Sequence, residues 1–139
     1  MQHRAVQHSI ASFLKDRQRL IVELMHLSTA LEQHQVEQWE IVLDRFCQCL
    51  VDYLSNGHFR IFANRTSPTN WVTPREYAIL ESTTATAMAF NDEHTQGHYI
   101  ARAKTKAHLA QLALALETRF EFEDEMLSRA TRDTFALAS

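Results

Sequence analysis

Glycine and proline are scarce in this sequence: each occurs only twice in 139 residues. Both residue types mark tight turns, so architectures that need many turns, such as β-sandwiches and β-barrels, are disfavoured. With 45% apolar residues, a chain of this length can still bury a substantial core. The composition therefore predicts a single domain over residues 1–139 that is mostly helical.

Long apolar runs and an excess of basic charge are also lacking. No run approaches the roughly 18 apolar residues of a membrane span. The polar start, Met1 to Arg4, lacks the apolar stretch of a signal peptide. A net charge of −3 disfavours binding to nucleic acid through its phosphates. We therefore expect a cytoplasmic protein that binds neither membrane nor DNA directly and whose partner is basic or neutral.

Motifs for catalysis and thiol chemistry are missing too. The sequence contains no Gly-rich phosphate loop, nucleophile elbow, Cys-x-x-Cys or HExxH motif. Cys47 and Cys49 are two residues apart on a predicted helix and point to nearly opposite sides, so they can neither bridge each other nor hold one metal ion. We expect reduced, packing cysteines and no enzymatic activity.

The eight histidines raise the possibility of a metal centre. A di-iron bundle needs Glu-x-x-His pairs facing its interior, and only Glu23 and His26 have that spacing. Both fall on the side of their helix away from the apolar residues, while His94 and His98 straddle Gly97 at a predicted helix break. We therefore expect no cofactor and no metal site in the bundle core, and a metal-binding bundle is the least favoured alternative.

Apolar residues recur at helical spacing in four parts of the chain. The predicted helices cover about residues 9–31, 38–64, 74–92 and 98–131. Amphipathic helices joined by short connections predict an all-α fold, specifically an antiparallel up-and-down four-helix bundle. In the fourth helix the apolar seam is assigned to Leu109, Leu112, Leu116, Phe120 and Leu127.

Three local signals refine these bounds. Ser55-Asn56-Gly57 resembles a turn, but the apolar periodicity continues across it, so the second helix is predicted as unbroken. Thr73-Pro74-Arg75-Glu76 has the pattern of a capping box at the start of the third helix. Residues 133–139 show no pattern, and this tail is expected to lean towards disorder.

Two charged residues lie on core-facing lines of their helices. Arg17 on the first helix and Glu123 on the fourth each fall within about 20° of an apolar line. Leaving one of them buried and unpaired costs about 3 to 5 kcal/mol, so we expect them to meet, with Tyr53 or His58 adding a hydrogen bond. The set is interpreted as an interior polar network that fixes helix register, with a ligand-lining role as the alternative.

The second helix carries an unusual pair on its polar side. Asp52 and Phe59 lie opposite the core-facing residues, with Gln48 and Ser55 beside them. An exposed ring next to a carboxylate is typical of a partner-binding surface, because the ring provides burial and the acid orients a basic group. The alternative is that this helix is central and covered on all sides.

Two sequence segments are more specific than the periodicity. Phe46 to Phe59 reads Phe-Cys-Gln-Cys-Leu-Val-Asp-Tyr-Leu-Ser-Asn-Gly-His-Phe, and Leu116 to Asp124 reads Leu-Glu-Thr-Arg-Phe-Glu-Phe-Glu-Asp. They resemble the motifs Phe-Cys-x-x-Leu-Val-Asp-Tyr-x-Ser-x-Gly-His-Phe and Leu-Glu-x-Arg-Phe-x-Leu-Glu-Asp of the Rsd/AlgQ family of bacterial sigma-factor regulators. Weaker similarity covers Phe13 to Leu20 and Ala89 to Asp92, so the resemblance spans nearly the whole chain.

The resemblance implies a non-catalytic helical bundle. It implies binding to region four of the housekeeping sigma factor of RNA polymerase, a basic helix-turn-helix module, in a 1:1 complex with a monomer. This anti-sigma activity sequesters the sigma factor from core polymerase and promoter. Carried over to this sequence, Asp52 pairs with an arginine of the sigma factor and Phe59 is the apolar anchor. A protein of the same fold with a different regulatory partner is the alternative.

Overall fold

The computed structural model describes residues 2–33, 36–57, 72–95 and 100–138. These residues form four α-helices and no strand. The helices are α1 (Gln2–Glu32), α2 (Val36–Asn56), α3 (Pro74–Thr95) and α4 (Arg102–Ala138). The predicted all-α fold is confirmed.

In each helix, one line of side chains faces the core, and we call this line the core seam. Its positions alternate in steps of four and three residues. This is the a/d spacing of coiled coils and of four-helix bundles, which keeps the same face towards the neighbouring helices along the whole length. The core seams consist of Phe13, Arg17, Leu20, Leu24, Leu27 and Leu31 in α1; Trp39, Leu43, Phe46, Leu50 and Tyr53 in α2; Glu76, Leu80, Thr83, Ala87, Phe90 and His94 in α3; and Leu109, Leu112, Leu116, Arg119, Glu123, Met126 and Ala130 in α4.

Helices that follow one another in the chain are antiparallel neighbours, and α1 also packs against α4. The side-chain contacts that show the antiparallel directions are Phe13–Tyr53 and Glu23–Arg45, Glu76–Arg129 and His94–His108, and Arg17–Asp124 and Glu32–Lys106. This arrangement confirms the up-and-down bundle. Because α2 and α4 each lie between α1 and α3, they are diagonal to each other and their exposed faces point to opposite sides of the molecule.

The first turn of α3 is capped as the sequence predicts. The backbone N–H of Glu76 donates to the Thr73 hydroxyl at 3.2 Å, and the backbone N–H of Thr73 donates to Glu76 Oε1 at 3.0 Å. Each side chain thereby satisfies a backbone donor that the helix leaves unpaired. Arg129 on α4 donates to the other carboxylate oxygen of Glu76, so the cap also joins α3 to α4.

Several helix ends differ from the predicted bounds. Helix α1 begins at Gln2 rather than near residue 9, α3 extends to Thr95, and α4 runs from Arg102 to Ala138. Residues 133–138 continue α4, and the expectation that residues 133–139 lean towards disorder stays a prediction. Once a helix is nucleated by packing, adding a residue costs little unless glycine or proline intervenes, so a helix continues where the apolar pattern stops.

The predicted end of α2 can be compared with the structure only in part, because the described residues stop before it. Ser55 and Asn56 are helical rather than part of a turn, as the periodicity predicts. The predicted continuation over residues 58–64 lies outside the described residues.

The remaining sequence expectations concern cysteines and membrane spans. Both Cys47 and Cys49 are free thiols, and Cys47 is buried. Within the described ranges, no helix combines the length and hydropathy that crossing a bilayer requires.

Candidate partner-binding face and the polar layer behind it

Glu123 of α4 is the acceptor at the centre of a buried polar layer. Its carboxylate is 0% exposed and accepts hydrogen bonds from the Tyr53 hydroxyl, from Arg17 Nη1 at 3.4 Å and from Arg119 Nε at 3.1 Å. Because Arg17 belongs to α1 and Tyr53 to α2, one carboxylate connects three helices. The structure thus brings together Arg17, Tyr53 and Glu123. His58, the fourth residue of the predicted network, lies outside the described residues.

Arg119 is the member of this layer that the sequence reasoning missed. It is 1% exposed, and its Nε also donates to the Tyr53 hydroxyl at 2.8 Å. Its Nη1 extends the layer to α3, where the acceptors are Leu80 O at 3.0 Å, Thr83 Oγ1 at 3.0 Å and Thr84 Oγ1 at 2.7 Å.

A signal for Arg119 was present in the sequence. Arg119 lies three residues after Leu116 and four before Glu123, in step with the core seam of α4. The sequence prediction instead gave this seam position to the neighbouring apolar residue, Phe120. That ring is half-buried and packs against Tyr53 at a centroid distance of 5.7 Å.

The charges of the layer balance one another. Burial raises the pKa of Glu123, while Arg119, Tyr53 and Arg17 oppose that shift. Burial and the Glu123 charge raise the pKa of Tyr53 well above its usual value, so this hydroxyl stays protonated and acts as a donor. Burial disfavours the charged form of Arg17, but the contact of its Nη2 with Asp124 Oδ1 at 2.7 Å and the interaction with Glu123 together outweigh burial and raise the Arg17 pKa. Two guanidinium groups therefore face two carboxylates.

The outward side of α2 carries the predicted partner-binding residues. Gln48, Asp52 and Ser55 are all exposed. They lie within about 40° of one line on the helix, together with Ile41 and Asp44. We call these five residues the α2 outer face. The alternative that this helix is covered on all sides does not hold for these positions, and Phe59 lies outside the described residues.

Ile41 was also missed by the sequence reasoning. It is 61% exposed, which is unusual for a large apolar side chain and places an apolar group on the α2 outer face. Its position seven residues before Gln48 puts both on one side of α2, and that spacing could have identified it.

The electrostatics of the α2 outer face are acidic. Asp52 accepts a hydrogen bond from Gln48 Nε2 at 3.2 Å, which orients its carboxylate. Across the described part of the chain Asp52 takes part in no ion pair. The nearby charge of Arg45 is offset by Glu23 of α1, with Nε and Oε2 3.4 Å apart. The carboxylates of Asp44 and Asp52 are therefore available to a cationic partner.

Buried contacts fix the rotation and register of α2 and so determine what it exposes. Tyr53, next to Asp52 in sequence, is held in the polar layer. Three residues later, Asn56 Nδ2 donates to Asp16 Oδ2 at 2.8 Å and to Ser12 Oγ at 3.3 Å on α1. A rotation of α2 that buries Asp52 would move Tyr53 and Asn56 away from these hydrogen-bond partners. Buried donors would then be left without acceptors, which costs free energy.

Comparison with known proteins gives matches over most of the chain. A family model described as "Regulator of RNA polymerase sigma(70) subunit, Rsd/AlgQ" matches residues 1–131. A protein named "Regulator of sigma D" from Yersinia enterocolitica is 35% identical over 100 residues, covering 66% of this chain and 60% of that protein. A protein of the same name from Sodalis glossinidius is 31% identical over 129 residues, covering 87% of this chain and 86% of that protein.

A further relative, "Regulator of sigma D" from Yersinia pseudotuberculosis, is 34% identical over 97 residues. The chain spans 57% of that relative and 60% of the Yersinia enterocolitica protein. No solved structure matches the chain.

Proposed function

Because this chain belongs to the Rsd/AlgQ family of regulators of the RNA polymerase sigma(70) subunit, we propose that it binds the housekeeping sigma factor. The proposed contact on that partner is region four, the basic module that the family resemblance implies. Occupying region four keeps the sigma factor from core polymerase and from the promoter. The role is regulatory and non-catalytic, and it is exerted in the cytoplasm by one monomer on one sigma factor, without direct contact to DNA.

The observation that carries this proposal is the exposed, acidic α2 outer face. It combines an apolar group, Ile41, with the carboxylates of Asp44 and Asp52 on one side of one helix. Apolar burial provides affinity at an interface, whereas charge complementarity provides orientation and a fast encounter with a basic partner. The net charge of −3 also attracts a basic partner, and this attraction extends over a longer distance than the contacts of the face.

Within this proposal each residue of the face has a distinct role. Asp52 pairs with an arginine of the sigma factor, because a carboxylate and a guanidinium can form two parallel hydrogen bonds. Gln48 orients that carboxylate through the hydrogen bond it already donates. Ser55 offers a hydroxyl at the same edge, and Ile41 becomes buried at the other end of the face. Phe59 is proposed as a further apolar anchor on the basis of the family motif alone.

Calorimetric titration with isolated sigma region four tests this assignment. Asp52→Asn keeps the size of the side chain and its hydrogen bond with Gln48 but removes the charge. We expect binding to weaken by about thirtyfold or more, since losing one partner of a desolvated charge pair costs about 2 kcal/mol or more.

The matched control is Glu121→Gln, which removes one charge from an exposed position on the diagonal helix α4. Its affinity should stay within about twofold of the unchanged protein, because only long-range charge is altered. Equal weakening by both substitutions would mean that net charge, rather than the α2 outer face, governs binding. Absence of binding to region four, with capture of another regulatory protein, would favour the alternative of the same fold with a different partner.

A further inference from the structure

Three potential metal ligands meet where α3 ends and α4 begins. Glu93 and His94 belong to the last turn of α3, and His108 lies near the start of α4. One ligand atom from each of the three residues lies within 4.8 Å of the other two. His94 Nε2 and His108 Nδ1 are 3.1 Å apart, and His108 Nδ1 is 3.6 Å from Glu93 Oε2.

These distances suit a small divalent transition metal. Zinc bound by histidine nitrogen or carboxylate oxygen at about 2.0 to 2.2 Å places neighbouring tetrahedral ligand atoms about 3.3 Å apart. Two of the three separations, 3.1 and 3.6 Å, bracket that value, and the third, between His94 and Glu93, lies within 4.8 Å. Two imidazoles and one carboxylate form a ligand set that zinc uses in proteins, with a fourth position left for water.

The surroundings hold His94 in place and give a cation access to the site. His94 is buried, and its ring packs on Phe90 at a centroid distance of 4.3 Å. Glu93 is exposed and His108 is half-buried, so the site opens to solvent on one side. Lys104 is close enough to His94 for its charge to oppose an incoming cation.

We propose that Glu93, His94 and His108 bind one Zn²⁺ ion, which links the end of α3 to the start of α4. This site lies at one end of the bundle, away from the core-centred di-iron arrangement that the sequence disfavours. A hydrogen bond between the two imidazoles accounts for the same contact without metal. In both arrangements His94 Nδ1 stays buried without a hydrogen-bond partner among the described residues, so binding measurements have to decide between them.

Titration of the metal-free 139-residue chain with Zn²⁺ distinguishes the two arrangements. We expect one ion per chain with a dissociation constant in the micromolar range or tighter, and a rise in Tm when Zn²⁺ is present, since a ligand of the folded state stabilises it. Co²⁺ used as a probe should show the visible absorption of a tetrahedral site. His108→Ala should weaken Zn²⁺ binding at least tenfold and abolish the Tm rise.

The matched control is His26→Ala. His26 forms a comparable pair with Glu23, at 3.6 Å between Nδ1 and Oε2, but among the described residues no third potential ligand completes a group there. This substitution should leave Zn²⁺ affinity unchanged. Glu93→Gln, at an exposed position that the fold does not require, should weaken binding without lowering Tm in the absence of metal.

The result that overturns the proposal is equally direct. No saturable binding up to about 100 μM Zn²⁺, or binding that survives both His108→Ala and Glu93→Gln, assigns the cluster to an imidazole hydrogen bond alone. Both readouts are independent of the sigma factor, so they do not depend on the proposed regulatory function.

Discussion

Glu123 joins α1, α2 and α4 through hydrogen bonds to a single fully buried carboxylate. Replacing it with leucine leaves the Arg119 guanidinium buried without its anionic partner. Removing one member of a buried pair costs about 3 to 5 kcal/mol. We expect Glu123→Leu to lower the free energy of unfolding by that amount in urea denaturation.

A double substitution shows whether Arg119 and Glu123 act as a pair. When Arg119→Met is combined with Glu123→Leu, no buried charge of the pair remains, and Thr83 retains its hydrogen bond to Ile79 O at 2.8 Å. The double variant should therefore lose less stability than the sum of the two single losses. Losses that add to within about 0.5 kcal/mol would contradict the pairing.

Cysteine reactivity reports on packing at the same scale. Burial, with a contribution from Asp44, raises the pKa of Cys47 to about 12, and burial also raises that of Cys49. Only the thiolate reacts with thiol reagents, so both cysteines should be slow to react in the folded protein, with Cys47 the slower. Labelling with a disulfide reagent at pH 8, followed by mass spectrometry, measures both rates. Fast modification of Cys47 in the folded protein would show that this part of α2 opens readily.

At the scale of single helices, the cap at the start of α3 should make the stability of the fold depend on pH. Burial opposes ionisation of Glu76, but the hydrogen bonds from Arg129 and Thr73 outweigh burial and lower its pKa below the ordinary 4.5. A lowered folded-state pKa means that the carboxylate stabilises the fold above 4.5 and that this contribution is lost as pH falls through the folded-state value.

Glu76→Gln tests that dependence. The variant should be less stable than the unchanged protein by about 1 kcal/mol at pH 7, the typical contribution of a cap. The difference should narrow as the pH falls from 4.5 through the lower folded-state pKa of Glu76, because the carboxylate is protonated first in the unfolded and then in the folded state. Urea denaturation over this pH range measures it, with the exposed Glu81→Gln on the same helix as control. If the difference in unfolding free energy between the two proteins does not change with pH, the charge of Glu76 does not contribute to the stability of the cap.

A substitution on the exposed side of helix α2 should weaken binding without changing the stability of the fold. Ile41 is 61% exposed on α2 and Leu114 is 67% exposed on the diagonal helix α4. Ile41→Ala should change the unfolding free energy by less than about 0.5 kcal/mol yet weaken binding to sigma region four by about fivefold or more. Leu114→Ala should alter neither quantity. Loss of affinity in the Leu114 variant would place the contact on α4.

At the scale of the whole molecule, the sequence predicts the bundle well because each helix repeats one apolar spacing. The 3–4 alternation through Leu109, Leu112 and Leu116 is visible in the sequence and matches the buried seam. Helix ends were less predictable. Gln2 and Ala138 lie at the termini of α1 and α4, where helix propagation rather than apolar pattern sets the boundary.

The polar layer shows where pattern reading fails. Arg17 and Glu123 could be identified because they interrupt otherwise apolar lines, but Arg119 sits beside Phe120, and an apolar ring is the simpler candidate for a core position. Only the packing shows that the ring is half-buried and the guanidinium fully enclosed. The outward direction of Asp52 could be predicted from the sequence, because a helical wheel uses only the position of the residue along the helix and not its packing neighbours.

Mapping the surface of this protein that region four of the sigma factor covers tests whether the α2 outer face is the binding site. Backbone amide NMR shifts, recorded during titration with that region, report each contacted residue. We expect the shift changes to be concentrated in the α2 outer face, at Ile41, Asp44, Gln48, Asp52 and Ser55, with the exposed residues of α4 around Leu114 unaffected. Changes centred on α4, with the α2 outer face unperturbed, would contradict it.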